Sequence, residues 1–169
     1  MLDLSWLSSR SILALALIGA SVRILVAEQG FGASGMFAAL GYGNEQLTGY
    51  FWILAGATLA GMALSVVRLD PKDLTRPVLF AILVICIAAF ADTRTGVMTR
   101  PQDLYLTQAA IAFGAVFAMG PIMMEGMLRA LAAGQSYVIS FIAVFSLSQS
   151  VGGLAGISLL SAFHTVRLK

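Results

Sequence analysis

Charge is what this sequence has least of. Only 11% of its 169 residues are Asp, Glu, Lys or Arg, while 59% are apolar. A soluble domain carries about a quarter charged residues, because its surface needs them for solvation. A mean hydropathy of +0.92 would leave large apolar patches facing water. Lipid is the solvent that accepts such a surface.

Other scarcities exclude whole classes of function. There is one cysteine and one histidine. Cys86 lies inside PVLFAILVICIAAFA, so no intrachain disulfide can form, and it reads as a small apolar packing residue. His164 has no second histidine, cysteine cluster or paired carboxylates near it, so no metal site and no cofactor are expected; it reads as an interfacial residue. Neither H-E-x-x-H, G-x-S-x-G nor a phosphate-binding loop occurs, and the chain is not expected to be an enzyme. The ten Lys and Arg residues are spread singly, without the basic face that nucleic-acid binding needs. GFGASG at 30–35 matches G-x-G-x-x-G, but the strand, helix and acidic residue of a dinucleotide site are missing around it. That match is chance.

What is present is apolar sequence in five runs. The pattern predicts an all-α, polytopic membrane helix bundle, a single transmembrane domain over 1–169, with spans at about 11–40, 46–67, 74–91, 104–128 and 136–163. Residues 11–22 could pass for a signal-peptide core behind Arg10, but four further spans make an ordinary membrane helix the better reading. The first element, about 29 residues long, would reach roughly 44 Å, beyond the ~30 Å hydrocarbon core. It must tilt, project or break, and Gly30, Gly32 and Gly35 are the places to break. Pro77 suits a first helical turn. The connections GYGNE, RLDPKD, DTRTGVMTRPQD and RALAAGQ hold most of the helix-punctuating residues.

Basic residues in short loops set orientation. An N-terminus inside puts Arg10, Arg68, Lys72, Arg76 and Arg129 in the cytoplasm and Arg94, Arg100, Arg167 and Lys169 opposite. The sharpest contrast is RLDPKDLTR against GYGNE. Tyr42, Tyr50, Trp52 and Tyr105 then fall near the outer interface.

Polar residues within spans are the functional candidates, since each charge there costs a few kcal/mol. Arg23, Glu28 and Gln29 lie in RILVAEQG and form a candidate proton or substrate site with Glu28 as the titrating group, or else the helix ends early and Glu28 sits in the interface. Gly120 and Pro121 predict a helix kink, of use to a gate or to close packing. Glu125 and Arg129, one turn apart, predict an interfacial ion pair. Ser148, Gly152 and Gly156 recur every four residues as a small-residue face for helix packing.

The order of RILVAEQ, GYGNEQLTGYFWILAGATLAG, RLDPKDLTRP, TRPQDLYLTQAAIAFGAVFAMGP and FSLSQSVGGLAGISLL resembles the C-terminal part of major facilitator superfamily transporters, in particular the fourteen-span drug:proton antiporters. The resemblance implies a partial or truncated secondary transporter in the bacterial inner membrane, without its N-terminal half and final helix. In its full-length form it would export small amphipathic compounds in exchange for protons, a multidrug-resistance activity. Its partners would be the bilayer, a small-molecule substrate, and a missing transporter half or another membrane subunit. The alternative from the residues is a non-transporting membrane subunit that assembles through its small-residue faces.

Overall fold

The computed structural model describes residues 9–94 and 99–167. Residues 95–98 of the DTRTGVMTRPQD connection, the side chains of His164 and Arg167, and Lys169 lie outside that description, and so do the expectations placed on them.

The described chain is all-helical. Helix α1 covers Arg10–Ala27 and runs through a π-helical turn, Glu28–Ala33, into α2, Ser34–Ala39. Helix α3 covers Thr48–Val67 and α4 Thr75–Asp92. A 3-10 turn at Pro101–Leu104 leads into α5, Tyr105–Ala133, and α6 covers Gln135–Arg167. Five of these segments are long and apolar enough to cross a membrane. With no water in a bilayer core to satisfy backbone groups, continuous helices are what such sequence can form there. The protein is an integral membrane protein.

Three local outcomes differ from the sequence reading. The glycines of EQGFGA do not break the first element; they are absorbed in the π turn. A π turn holds one more residue per hydrogen-bonded ring than an α-helix, so it resets which side chains face inward without ending the helix. The first element stops later, at Gly41, whose φ of +85° is open to glycine. Tyr42 N–H donates to Phe37 O at 3.0 Å and Gly41 N–H to Ala38 O at 3.1 Å, which is a Schellman cap. Second, RALAAGQ is not a loop. Helix α5 continues to Ala133, and Gly134 alone, at φ +135°, separates it from α6. Third, Cys86 faces outward from α4 rather than packing inside.

By contacts the chain divides into two compact units, residues 1–28 with 122–169, and residues 29–121. The divisions fall where the π turn begins and immediately after Pro121.

In the first unit α1 packs on α6. A Cβ on Gly152 would sit 2.5 Å from Ala20 O, and one on Gly156 would sit 3.0 Å from Ile24 O. Residues 20 and 24 thus meet 152 and 156 in the same chain direction, so the helices run parallel at nearly backbone contact. Small residues permit such approach where helix association rests on van der Waals packing. Phe141 of α6 covers Gly126 of α5 in the same way.

In the second unit α5 runs parallel to α3 and antiparallel to α4. Gly61 of α3 meets the Phe113 carbonyl, while Gly114 lies against Ala81 and Ile85 of α4. The starts of α3 and α5 and the end of α4 therefore share one membrane end. A cluster of Phe37, Leu47, Tyr50 and Leu104 fills it.

Candidate functional site: a buried amide–carboxylate cluster

Four polar side chains meet inside the second unit. Gln108, the fourth residue of α5, is 0% exposed. Its Nε2 donates to Asp92 Oδ2 at 2.8 Å. Its Oε1 accepts from the Tyr50 hydroxyl at 3.4 Å. Its backbone carbonyl accepts from Gln29 Nε2 at 2.6 Å. One residue therefore ties together the π turn, α3, α4 and α5.

Local structure places each member. Gln29 turns inward because the π turn carries it there, and the Ser34 hydroxyl donates to Gln29 O at 3.0 Å, holding a carbonyl outside the ordinary α pattern. Tyr50 stands in the first turn of α3, fully buried among Phe37, Phe51 and Tyr105 with ring centroids 5.5–6.4 Å away. Asp92 is the last residue of α4. The C-terminal end of a helix carries partial negative charge and disfavours an anion, so a charge-assisted bond from Gln108 offsets that repulsion. Asp92 is the one carboxylic acid among the four. Amides and a phenol, by contrast, can exchange donor and acceptor roles around it.

The sequence-derived candidates separate. Gln29 joins the cluster. Arg23 faces outward on α1, with its Nε 3.6 Å from the place a Cβ on Gly153 would take. Glu28 is half-buried where α1 meets the π turn. Arg23 and Glu28 belong to the first unit and Gln29 to the second. Tyr50, expected near the outer interface, stands in the first turn of α3 with its side chain buried between helices, and Asp92, expected as loop punctuation, is helical and bonded.

The remaining candidates are structural in their contacts. Pro121 is buried within an unbroken α5, and a Cβ on Gly120 would strike the Ser65 hydroxyl of α3. Glu125 Oε1 accepts from Arg129 Nε at 2.6 Å, on an outward face. The Ser148 hydroxyl donates to Phe145 O of its own helix at 2.7 Å, while Gly152 and Gly156 are covered by α1. Among the described residues there is no group of three or more His, Cys, Asp or Glu placed to hold a metal ion.

No protein-family model, no curated protein and no solved structure matches this chain.

Proposed function

We propose that the chain contributes helices to a secondary transporter that couples proton movement to export of small amphipathic compounds across a bacterial inner membrane. The observation that carries this reading is the carboxyl of Asp92 held by Gln108 inside an apolar helical unit. A polar cluster there is costly to keep unless its groups are mutually bonded, and ionisable groups within spans mark ion or proton paths. Protonation of such a carboxyl changes which of its neighbours donate, giving one ligand different interaction energies in two states. A ligand can drive a conformational equilibrium only through such a difference. The sequence resemblance to drug:proton antiporters points the same way, and the basic RLDPKDLTR loop favours a cytoplasmic N-terminus.

The competing reading, a subunit assembling through small-residue faces, draws no support from the stripe on α6. Gly152 and Gly156 are already covered by Ala20 and Ile24.

The test is efflux of a fluorescent amphipathic cation from membrane vesicles bearing the chain, driven by an imposed pH gradient. Asp92→Asn and Glu28→Gln are compared at matched membrane levels. Asp92→Asn should abolish the gradient-dependent part of the flux. Gradient-driven flux unchanged in both variants, or absent from the unmodified chain, overturns the reading.

A further inference from the structure

We infer that the pocket between the turn at 41–47 and the 3-10 turn at 101–104 binds a small anionic group, a phosphate or carboxylate of lipid-headgroup size. This goes beyond the transport reading and stands without it. The pocket lies wholly within the second unit, is a half-open cleft of about 210 Å³, and is lined by Tyr42, Gln46, Arg100, Pro101, Gln102 and Tyr105.

Size decides first. Sites for drug-sized ligands run to about 300–1,000 Å³, so this one is too small for the amphipathic compounds proposed as cargo. A headgroup or a small free anion fits it.

The chemistry of the walls sets the sign. Arg100 offers five N–H donors and no acceptor. Gln46 has committed its Oε1 to the Gly43 N–H at 2.9 Å, which leaves its amide NH₂ as the remaining polar function. None of the six lining residues is acidic. Two carboxylates stand next to lining residues in the chain: Glu45, exposed beside Gln46 and not in the lining, and Asp103, turned to the backbone with its Oδ2 accepting the Arg100 N–H at 2.8 Å. The Arg100 guanidinium is in neither the Asp73–Arg76 nor the Glu125–Arg129 ion pair. Donors outnumber acceptors around a cation, and a planar guanidinium matches phosphate or carboxylate with two parallel bonds.

The walls are also held in place. The backbone of Arg100 is fixed by Asp103 and by the buried Pro101 that follows it, while its side chain is exposed. The Tyr42 ring packs edge-on against fully buried Phe37 at 5.8 Å. The Tyr105 hydroxyl lies 2.9 Å from where a Cβ on Gly49 would be, so a side chain at 49 would displace that wall. Groups already ordered lose less freedom on binding. On the outer faces of α3 and α5 nearby, Trp52 is 74% and Leu106 is 82% exposed. These are apolar flanks along which acyl chains could lie while a headgroup enters the pocket.

The experiment uses the protein in nanodiscs, with Trp6→Phe leaving Trp52 as the fluorophore. Brominated phosphatidylglycerol is compared with brominated phosphatidylcholine as quencher, with and without inorganic phosphate. Half-maximal quenching is expected at a several-fold lower mole fraction of the anionic lipid. Arg100→Gln should erase that preference, Arg100→Lys should keep part of it, and Gly49→Leu should weaken it by moving Tyr105. Arg94→Gln, equally outward-facing, should leave it intact. Reversal of quenching by millimolar phosphate, with the same dependence on Arg100, assigns the site to a free anion rather than a lipid. Equal quenching by both lipids with no effect of phosphate overturns the inference, as does equal loss in Arg94→Gln and Arg100→Gln.

Discussion

Gln108 donates its side-chain amide to Asp92 at 2.8 Å while the Tyr50 hydroxyl and the Gln29 amide both point at Gln108. Three bonds that tie separate elements meet at this one residue. Gln108→Leu should therefore cost more than the removal of any single partner. It removes the amide donor to the carboxylate and the amide acceptor of the Tyr50 hydroxyl together, each lost hydrogen bond costing about 0.5–1.5 kcal/mol. Asp92→Asn keeps an acceptor oxygen for Gln108 Nε2 and should cost less than half as much. Thermal unfolding followed by circular dichroism in detergent ranks the two. An equal or smaller loss in Gln108→Leu would show that the cluster does not hold the unit together.

Two glycines in like surroundings of sequence should respond in opposite directions. Gly152→Ala drives a methyl toward Ala20 O at 2.5 Å and must part α1 from α6. Overpacking of that kind costs about 1–3 kcal/mol. Gly35 sits in helix with nothing within 4 Å of its missing Cβ. Gly35→Ala should be neutral or should stabilise by up to about 1 kcal/mol, since it removes backbone freedom from the unfolded chain. The same unfolding measurement gives both signs, and a stabilised Gly152→Ala would refute the α1–α6 contact.

Spans were legible because bilayer solvation acts on every residue of a helix at once, so a run such as PVLFAILVICIAAFA announces itself without knowledge of its neighbours. The candidate site was not legible, because its bonds join residues up to 79 positions apart. Asp92 follows the last apolar residue of its run and looks like loop punctuation until packing against α5 gives it a partner. Gln108 is a lone amide in TRPQDLYLTQAAIAF. Tyr50 was hidden by the general tendency of tyrosine to sit at interfaces. Gln29 could be picked out, since it stands in apolar sequence on a helix too long for the bilayer.

Ser65 illustrates a cost that close packing imposes. Its hydroxyl is buried against Gly120 and has no hydrogen-bond partner among the described residues. Ser65→Ala should be tolerated and should raise stability by about 1 kcal/mol, because a buried hydroxyl without a partner is unfavourable. Gly120→Ala should do the reverse, and Ser65→Ala should soften that loss when the two are combined. A double-mutant cycle in detergent measures the coupling. Strict additivity would mean the two positions do not meet.

Orientation can be settled by labelling two exposed connections. Asn44 and Lys72 both face outward from turns at opposite ends of α3. With Cys86→Ser removing the native thiol, Asn44→Cys and Lys72→Cys place single reporters at those ends. Positive loop residues are retained in the cytoplasm, so a membrane-impermeant maleimide applied to intact cells should modify Cys at 44 and spare Cys at 72. Inverted vesicles should show the opposite. The reverse pattern would place RLDPKDLTR outside and move the buried cluster to the cytoplasmic end. Labelling of both sites from one side would mean that α3 does not cross the bilayer. The native Cys86 gives an internal check: it faces outward from the middle of an apolar helix. In lipid it is out of reach of a charged, water-borne reagent. It should resist the charged maleimide from either side and react once the protein is unfolded in detergent.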